Sequence, residues 1–352
     1  MFVVPEHPSV LTDHAPDRTR AEHFRRLVEP YWGADPRRSV VQLLTSAIFF
    51  FGLWALMLAS LEVGYWLTLL LAIPTAGFLM RLFMIQHDCG HGSFFASRRA
   101  RDMVGFCIGV LTLVPYEYWR KTHAYHHAHA GNLDLRGFGD IDTRTVREYL
   151  ALSPGRRLAY RTYRHPLVLF LVGPAFHFLI KHRYPWDVPR AWTQAWRSVW
   201  RTNAALLAIG VGMALTIGLG RFLMVQIPLT LMACSLGVWL FYVQHQYEET
   251  YWHRREDWDY YDAALQGSSY LVLPKPLQWL TANIGLHHVH HLSARIPNYR
   301  LQECMEAVTE FQRVTRVTLR DSFRLARLSL WDEEAERLIG FSDLRRREQA
   351  AA

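Results

Sequence analysis

At 352 residues the chain has room for two ordinary soluble domains, but 51% of it is hydrophobic and 14% aromatic, gathered in long uncharged runs; this excludes a pair of soluble globules and marks an integral membrane protein. The formal charge of +8 comes largely from arginines beside those runs, where a basic excess marks the cytoplasmic flank and meets anionic headgroups; with no reading module beside it, nucleic acid is excluded as a partner. Four scattered cysteines, Cys89, Cys107, Cys234 and Cys304, have no CxxC spacing and are expected as reduced thiols.

Residues 1–38 form a polar N-terminal segment, rich in Pro and Arg, without the basic and apolar regions of a secretory signal. Within it RTRAEHFRRLVEPYW reads either as an amphipathic interfacial helix (Phe24, Leu27, Tyr31) or as a solvated tail. Residues 39–61 and 65–85 are each close to the ~20 needed to cross a bilayer, with a tight hairpin at 62–64 between them. Arg81 interrupts the second run and is expected to snorkel toward the interface. HDCGH follows directly, so His87 and His91 should prolong this helix beyond the membrane.

Residues 103–115 are apolar but too short to span, 129–165 are a polar excursion, and 166–180 are a second short apolar run with basic flanks. A second hydrophobic pair, 203–219 and 222–243, turns at Gly220 and Arg221. From Arg300 onward the sequence predicts amphipathic helices capping the cytoplasmic side, with no chemistry of their own.

Chemistry is concentrated in histidines. NIGLHHVHHLSARIP sets His287, His290 and His291 at relative positions zero, three and four, and HAYHH repeats this with His123, His126 and His127. On a helix those offsets lie on one face, so three imidazoles are expected to converge on one point. With His87 and His91, eight of the 18 histidines lie in three boxes. Neutral imidazole is the commonest metal ligand, and a first-row transition metal takes four to six ligands, so the set implies two ions; the lack of clustered cysteine argues against iron–sulfur or structural zinc.

Boxes that share a metal centre must lie on one side of the bilayer, so an even number of crossings separates them. Setting aside 166–180, the shortest run, leaves four crossings in two hairpins. Both tight turns then face outward, and the arginine-rich 18–38 and 181–201, the boxes and both termini face the cytoplasm. The fold class is therefore an all-α integral membrane protein: four transmembrane helices in two hairpins, with a cytoplasmic helical cap holding a histidine-rich metal site. The domains are 1–38, a membrane domain over 39–301, and a C-terminal part over 302–352.

Taken together, HDCGH, HAYHH, FYVQHQYEETYW and NIGLHHVHHLSARIPNYRL resemble the membrane fatty acid desaturases, in particular the acyl-lipid methyl-end (omega-6, delta-12 type) branch, over residues 39–301. The resemblance implies a non-haem diiron centre, dioxygen, two electrons from an external donor, and insertion of a double bond into a membrane-lipid acyl chain. It implies as ligands His87, His91, His123, His126, His127, His287, His290 and His291, with His245 as the ninth. His288, about 100° off its neighbours on a helix, is not carried over. Asp88, Asn283, Glu248 and Glu249 are candidates to orient imidazoles, and Phe94, Phe95, Tyr116 and Trp119 to line an apolar substrate channel. With neither a dinucleotide fingerprint nor a His-Pro-Gly-Gly stretch, the donor is expected to be a separate ferredoxin or cytochrome-b5-like carrier.

The competing enzyme is a diiron hydroxylase of an acyl, alkane or carotenoid substrate on the same scaffold, told apart by its alcohol product. A zinc hydrolase is disfavoured because HDCGH lacks the glutamate of H-E-x-x-H. A metal transporter would need ligands within the apolar runs rather than beyond their ends.

Overall fold

The computed structural model describes residues 18–351; the reading of 1–17 as lacking a signal lies outside them. Among the described residues four helices are long and apolar enough to cross a membrane. They form two hairpins: α2 (Pro36–Ser60) with α3 (Tyr65–His91), and α9 (Thr193–Thr216) with α10 (Leu219–His245). Ahead of them lies α1 (Arg18–Val28). Between the hairpins come α4 (Arg98–Leu111), α5 (Tyr116–His129), β1 (Arg144–Thr145), α6 (Val146–Leu150), α7 (Pro154–Tyr163) and α8 (Gly173–Leu179).

Local chemistry sets the ends of these helices. Asp35 caps α2, its carboxylate accepting from the backbone of Arg37 and Arg38, and Pro36 takes the first turn, where a missing N–H costs nothing. Helix α3 stops at Gly92, which takes φ +82°, a conformation favouring glycine. That stop leaves His91 on the last turn. At the opposite end the two hairpin turns meet, where Arg221 pairs with Glu62 at 2.6 Å and the Tyr65 hydroxyl donates to the Met224 carbonyl at 3.2 Å. Both hairpins therefore turn at one end of the bundle and present α3 and α10 termini at the other.

Lipid-facing and protein-facing surfaces separate along the same helices. Val40, Leu44, Ile48 and Phe51 of α2 are exposed, as are Leu207, Val211 and Leu215 of α9, whereas α3 beyond Pro74 is enclosed by protein. Arg81 does not snorkel. It is buried, donates to the Trp279 carbonyl and stacks 3.9 Å over the Trp279 ring. A segment packed beside the membrane helices needs a donor for its carbonyl, and an arginine within reach supplies it. The run 166–180 makes a π-helical turn at Val168–Val172 followed by α8, bent 62° from α7. Leu167, Leu171, Val172 and Phe176 face outward, while Leu169 and Pro174 are buried.

Beyond α10 the chain builds a cap from α11 (Tyr260–Gln266), β2 (Tyr270–Val272), α12 (Lys275–Leu280), α13 (His287–Leu292) and α14 (Leu301–Ala307). The C-terminal part differs from the expected run of amphipathic helices. It alternates β3 (Arg316–Thr318), α15 (Leu319–Leu325), β4 (Leu328–Asp332), β5 (Arg337–Gly340) and α16 (Phe341–Ala351). β3 pairs with β2 in parallel, and β4 lies between β1, in parallel, and β5, in antiparallel. Helix α1 is not interfacial either: Phe24 and Val28 pack in the cluster that holds Val289 and Leu292, each contributing about 1.5–3 kcal/mol by burial. The N-terminal helix thus clamps α13, the helix of the third box.

Candidate metal centre

Each box is positioned by a different element. His87 and His91 end α3, His245 ends α10, the second box lies in the last two turns of α5, and the third is most of α13. Their imidazoles assemble as two groups: His87, His91, His123, His127 and His290 in one, and His126, His245, His287 and His291 in the other, with the ligand nitrogens of each group within 4.8 Å of one another. All nine histidines implied by the resemblance are in these groups. The expectation that each triplet converges on one point is corrected. Residues four apart on a helix are about 40° apart in direction and stay together, but the residue at position three is about 100° from the one at position four. Thus His123 and His127 go one way and His126 the other, and His287 and His291 part from His290 in the same manner.

Hydrogen bonds at the outer ring nitrogens fix what the inner ones can do. His245 Nδ1 donates to the Gly267 carbonyl at 3.0 Å, and His126 Nδ1 donates to the Asp140 carboxylate. A neutral imidazole that spends its proton on Nδ1 presents a bare lone pair at Nε2. Yet His126 Nε2 faces His245 Nε2 at 3.2 Å and His291 Nε2 at 3.3 Å. Facing lone pairs at that separation repel, and a cation between them is what relieves the repulsion, so the residues fit a bound metal ion. The five-histidine group repeats the pattern: His127 Nε2 lies 3.2 Å from His123 Nε2 and 3.1 Å from His290 Nε2.

Burial holds His123, His127, His287, His290 and His291 well below the ordinary imidazole value, and their imidazole neighbours push in the same direction. They are therefore neutral at pH 7, the form a metal requires. Among the described residues neither a cysteine nor a carboxylate joins either group; Cys89 is buried between His87 and His91 as a free thiol.

Of the candidate orienting residues, Asp88 contacts one of the nine histidines. Its Oδ1 lies 3.2 Å from His87 Nδ1, and its Oδ2 accepts from the Asn298 backbone at 2.7 Å and side chain at 2.8 Å. Asn283 instead donates to the Asn298 carbonyl at 3.1 Å and supports that loop at one remove. Glu248 and Glu249 are exposed and make no contact with an imidazole. His288 stays outside both groups, with its Nε2 donating to the Phe311 carbonyl at 3.1 Å. Trp119 stacks on His123, ring centroids 4.5 Å apart, whereas Phe94 and Tyr116 are core residues between α3 and α4.

Asp140 and the Gly267 carbonyl are partners that the sequence did not single out. Asp140 reaches His126 because Gly139, at φ +78°, lets the polar loop turn back against α5, where a Cβ would stand 2.8 Å from the Thr122 carbonyl. Asp140→Ala is expected to weaken metal binding at the four-histidine group about 10–100-fold, the usual cost of losing such a support, with little effect on the other group. Titration of each ion against a competing chelator measures this.

The comparisons agree with the geometry. A model of the fatty acid desaturase family matches residues 63–322. The chain is 45% identical over 322 residues to a fatty acid desaturase of Bacillus subtilis (strain 168), covering 92% of this chain and 91% of that one. It is 28% identical over 297 residues to an sn-1 oleoyl-lipid 12-desaturase of Anabaena variabilis, covering 78% and 77%. It is 29% identical over 293 residues to an sn-2 acyl-lipid omega-3 desaturase (ferredoxin), chloroplastic, of Helianthus annuus, covering 78% of this chain and 62% of that one. With four membrane-length helices, two imidazole groups at one end of them and a family match over most of its length, the chain belongs to the fatty acid desaturase family, whose members are oxidoreductases.

Proposed function

We propose that the nine histidines hold two iron ions and that the chain is an acyl-lipid desaturase of the methyl-end, delta-12 or omega-6 type, acting on a monounsaturated eighteen-carbon chain. The observation that carries this reading is the division of nine imidazoles into groups of five and four, which suits two adjacent ions and leaves no ligand unassigned. Bound iron with dioxygen supplies an oxidant strong enough for an unactivated methylene, beyond the reach of side-chain acids and bases. In balance, one CH2–CH2 unit, one O2, two electrons and two protons give one CH=CH and two waters. The electrons come from a ferredoxin or a cytochrome-b5-like carrier, and a ferredoxin is the donor named for the Helianthus relative.

The protein's part is to bind the chain, orient it and exclude water. A small apolar cleft between α3, α8 and α10 is lined by Leu79, Met80, Phe83, Leu113, Phe178 and Ala233. Phe83 meets Trp119 edge-on at 5.5 Å, and Trp119 stacks on His123. This gives an acyl tail apolar surface up to the five-histidine group. Methyl-side regiochemistry is supported by the motif resemblance and by the name of the Anabaena relative.

The ligand end of the bundle is assigned to the cytoplasm, because the basic segments 18–38 and 181–201 flank it. Both termini lie on that side, with 39–301 as the membrane domain and 302–352 beyond it. Expression in a host that makes saturated and monounsaturated lipids, followed by double-bond mapping, tests the activity. The expected product is the diene with its new bond on the methyl side. Hydroxylated lipid alone, or new bonds only near the carboxyl end of saturated chains, would overturn this reading.

A further inference from the structure

The two imidazole groups differ in access. All four histidines of the smaller group are buried, whereas His91, His123 and His127 of the larger one are only half-buried. The cover over the larger group is thin, because α5 turns Ala124 and Ala128 outward, each adjacent in sequence to one of those histidines. A methyl group is all that either position adds to the backbone there.

Basic residues gather around this window. Residues 98–121 hold five cations, Arg98, Arg99, Arg101, Arg120 and Lys121, against two carboxylates, Asp102 and Glu117. Arg98 and Arg120 are engaged by those carboxylates. Among the described residues no carboxylate lies within ion-pair distance of Arg99, Arg101 or Lys121. Arg101 folds over the end of α3, donating to the carbonyls of Phe95 at 2.6 Å and Ala96 at 3.0 Å, and reaches the Gly92 carbonyl beside His91 at 3.4 Å. Lys121 lies two residues before His123, with its ammonium 4.5 Å from the Trp192 ring. The excess positive charge therefore borders these partly exposed residues, whose rings point inward, on both the α4 and the α5 side.

We propose that this face, centred on Ala124 and Ala128 and bordered by Arg99, Arg101 and Lys121, is the docking surface for an acidic protein carrying a one-electron redox centre, and that electrons enter at the five-histidine group. The inference rests on the desaturase reading for the direction of electron flow and on the exposure and charge above for its location. The chain carries no nucleotide-binding fingerprint, so its reducing equivalents arrive by encounter with another molecule. Two encounters per turnover oxidise two carriers by one electron each. Those two electrons, with the two released from the substrate's two C–H bonds, reduce one O2 to two waters, two of the four protons coming from the substrate and two from solvent. Small side chains at the centre permit close approach to His123 and His127, and uncompensated cations at the rim steer and orient an acidic partner.

The test uses the full chain in detergent or nanodiscs and an acidic [2Fe–2S] ferredoxin as probe, with binding measured at low and high salt. Arg99→Glu with Lys121→Glu is expected to weaken ferredoxin binding about tenfold or more at low salt, with the difference shrinking as salt rises. Ala128→Trp should weaken it at both salt concentrations by blocking the approach. Arg345→Glu, a charge reversal on exposed α16, should not. Equal affinities for the double variant and Arg345→Glu would overturn the proposal. A second readout is lipid product formed in one turnover after reduction by dithionite, expected to be the same for the double variant and the unaltered protein. Absence of olefin from the unaltered protein would count against the desaturase reading, while the binding measurement decides the docking surface in either case.

Discussion

His291→Ala is expected to remove one metal ion and nearly all turnover, while His290→Ala, its immediate neighbour, disturbs the other ion. The reason is the geometry of α13. His291 shares a direction with His287, four residues earlier, and both point to the four-histidine group, whereas His290 is turned about 100° away toward His87, His91, His123 and His127. Losing His291 leaves three imidazoles, one short of the four to six ligands expected, so that ion is held the more weakly of the two against a chelator; losing His290 leaves four, enough for better retention. Activity should fall more than about 100-fold in both, since even residues one step removed from a metal cost 10–100-fold. Metal content should separate them, with close to one ion lost in His291→Ala and a smaller loss in His290→Ala. Mössbauer spectra of iron-loaded protein should show a different component altered in each. Identical losses and spectra would mean that both histidines serve one ion, contrary to the grouping in the structure.

Much of this candidate centre was legible because its histidines come in short helical boxes whose spacing is a local property. The division into two groups was not, since periodicity gives the direction of each side chain around its own axis and says nothing of what stands opposite. That requires knowing that α3, α5, α10 and α13 end together. Asp140 was out of reach for a related reason. Asp134, Asp140 and Asp142 lie in one polar loop with equal claims, and the choice is made by the backbone turn at Gly139. Glu248 and Glu249 were attractive for their closeness in sequence to His245, but the helix ends there and the chain carries them out to solvent.

The membrane hairpins were legible to within a few residues, because a long uncharged run has few alternatives in a bilayer. One exception is informative. Helix α9 begins at Thr193, ten residues before the apolar run at 203, and this extension buries Ala195, Ser198 and Val199; its contact with α5 includes the Ser198 hydroxyl, which accepts from the Glu117 backbone at 3.0 Å. Hydropathy is silent about a polar helix end that packs on protein. In the C-terminal part the strands are three to five residues long, too short for a period of two to declare itself, and β4 is buried on both faces. Its pairing with β1, far away in sequence, decides its conformation.

His245→Ala is expected to lose activity and the ion of the four-histidine group while the protein still inserts and folds, and His253→Ala to retain both. His245 belongs to no box, yet the two inner helices are built alike. Each of α3 and α10 has 27 residues, follows a glycine cap, carries a proline at its tenth position (Pro74 and Pro228) and ends on a histidine, His91 in one and His245 in the other. Matching length from a shared turn end brings the two terminal histidines to matching depths, rooted in rigid helices, one for each group. His245 is further fixed by the Gly267 carbonyl on Nδ1, which aims Nε2 at His126, 3.2 Å away, and at His287, 3.0 Å away. Removing it leaves three ligands and an unanswered carbonyl at Gly267, a cost of about 1–3 kcal/mol that a helix held along its whole length can bear. His253 offers only backbone to the fold, exchanging hydrogen bonds with Gly131 and Leu133, and its ring rests on Tyr251, so alanine there keeps every ligand. Elemental analysis and lipid product from membranes expressing each variant make the comparison. A His245→Ala protein with two ions and near-normal product would remove this residue from the site and leave the smaller group with three imidazoles, an arrangement inconsistent with the site described above.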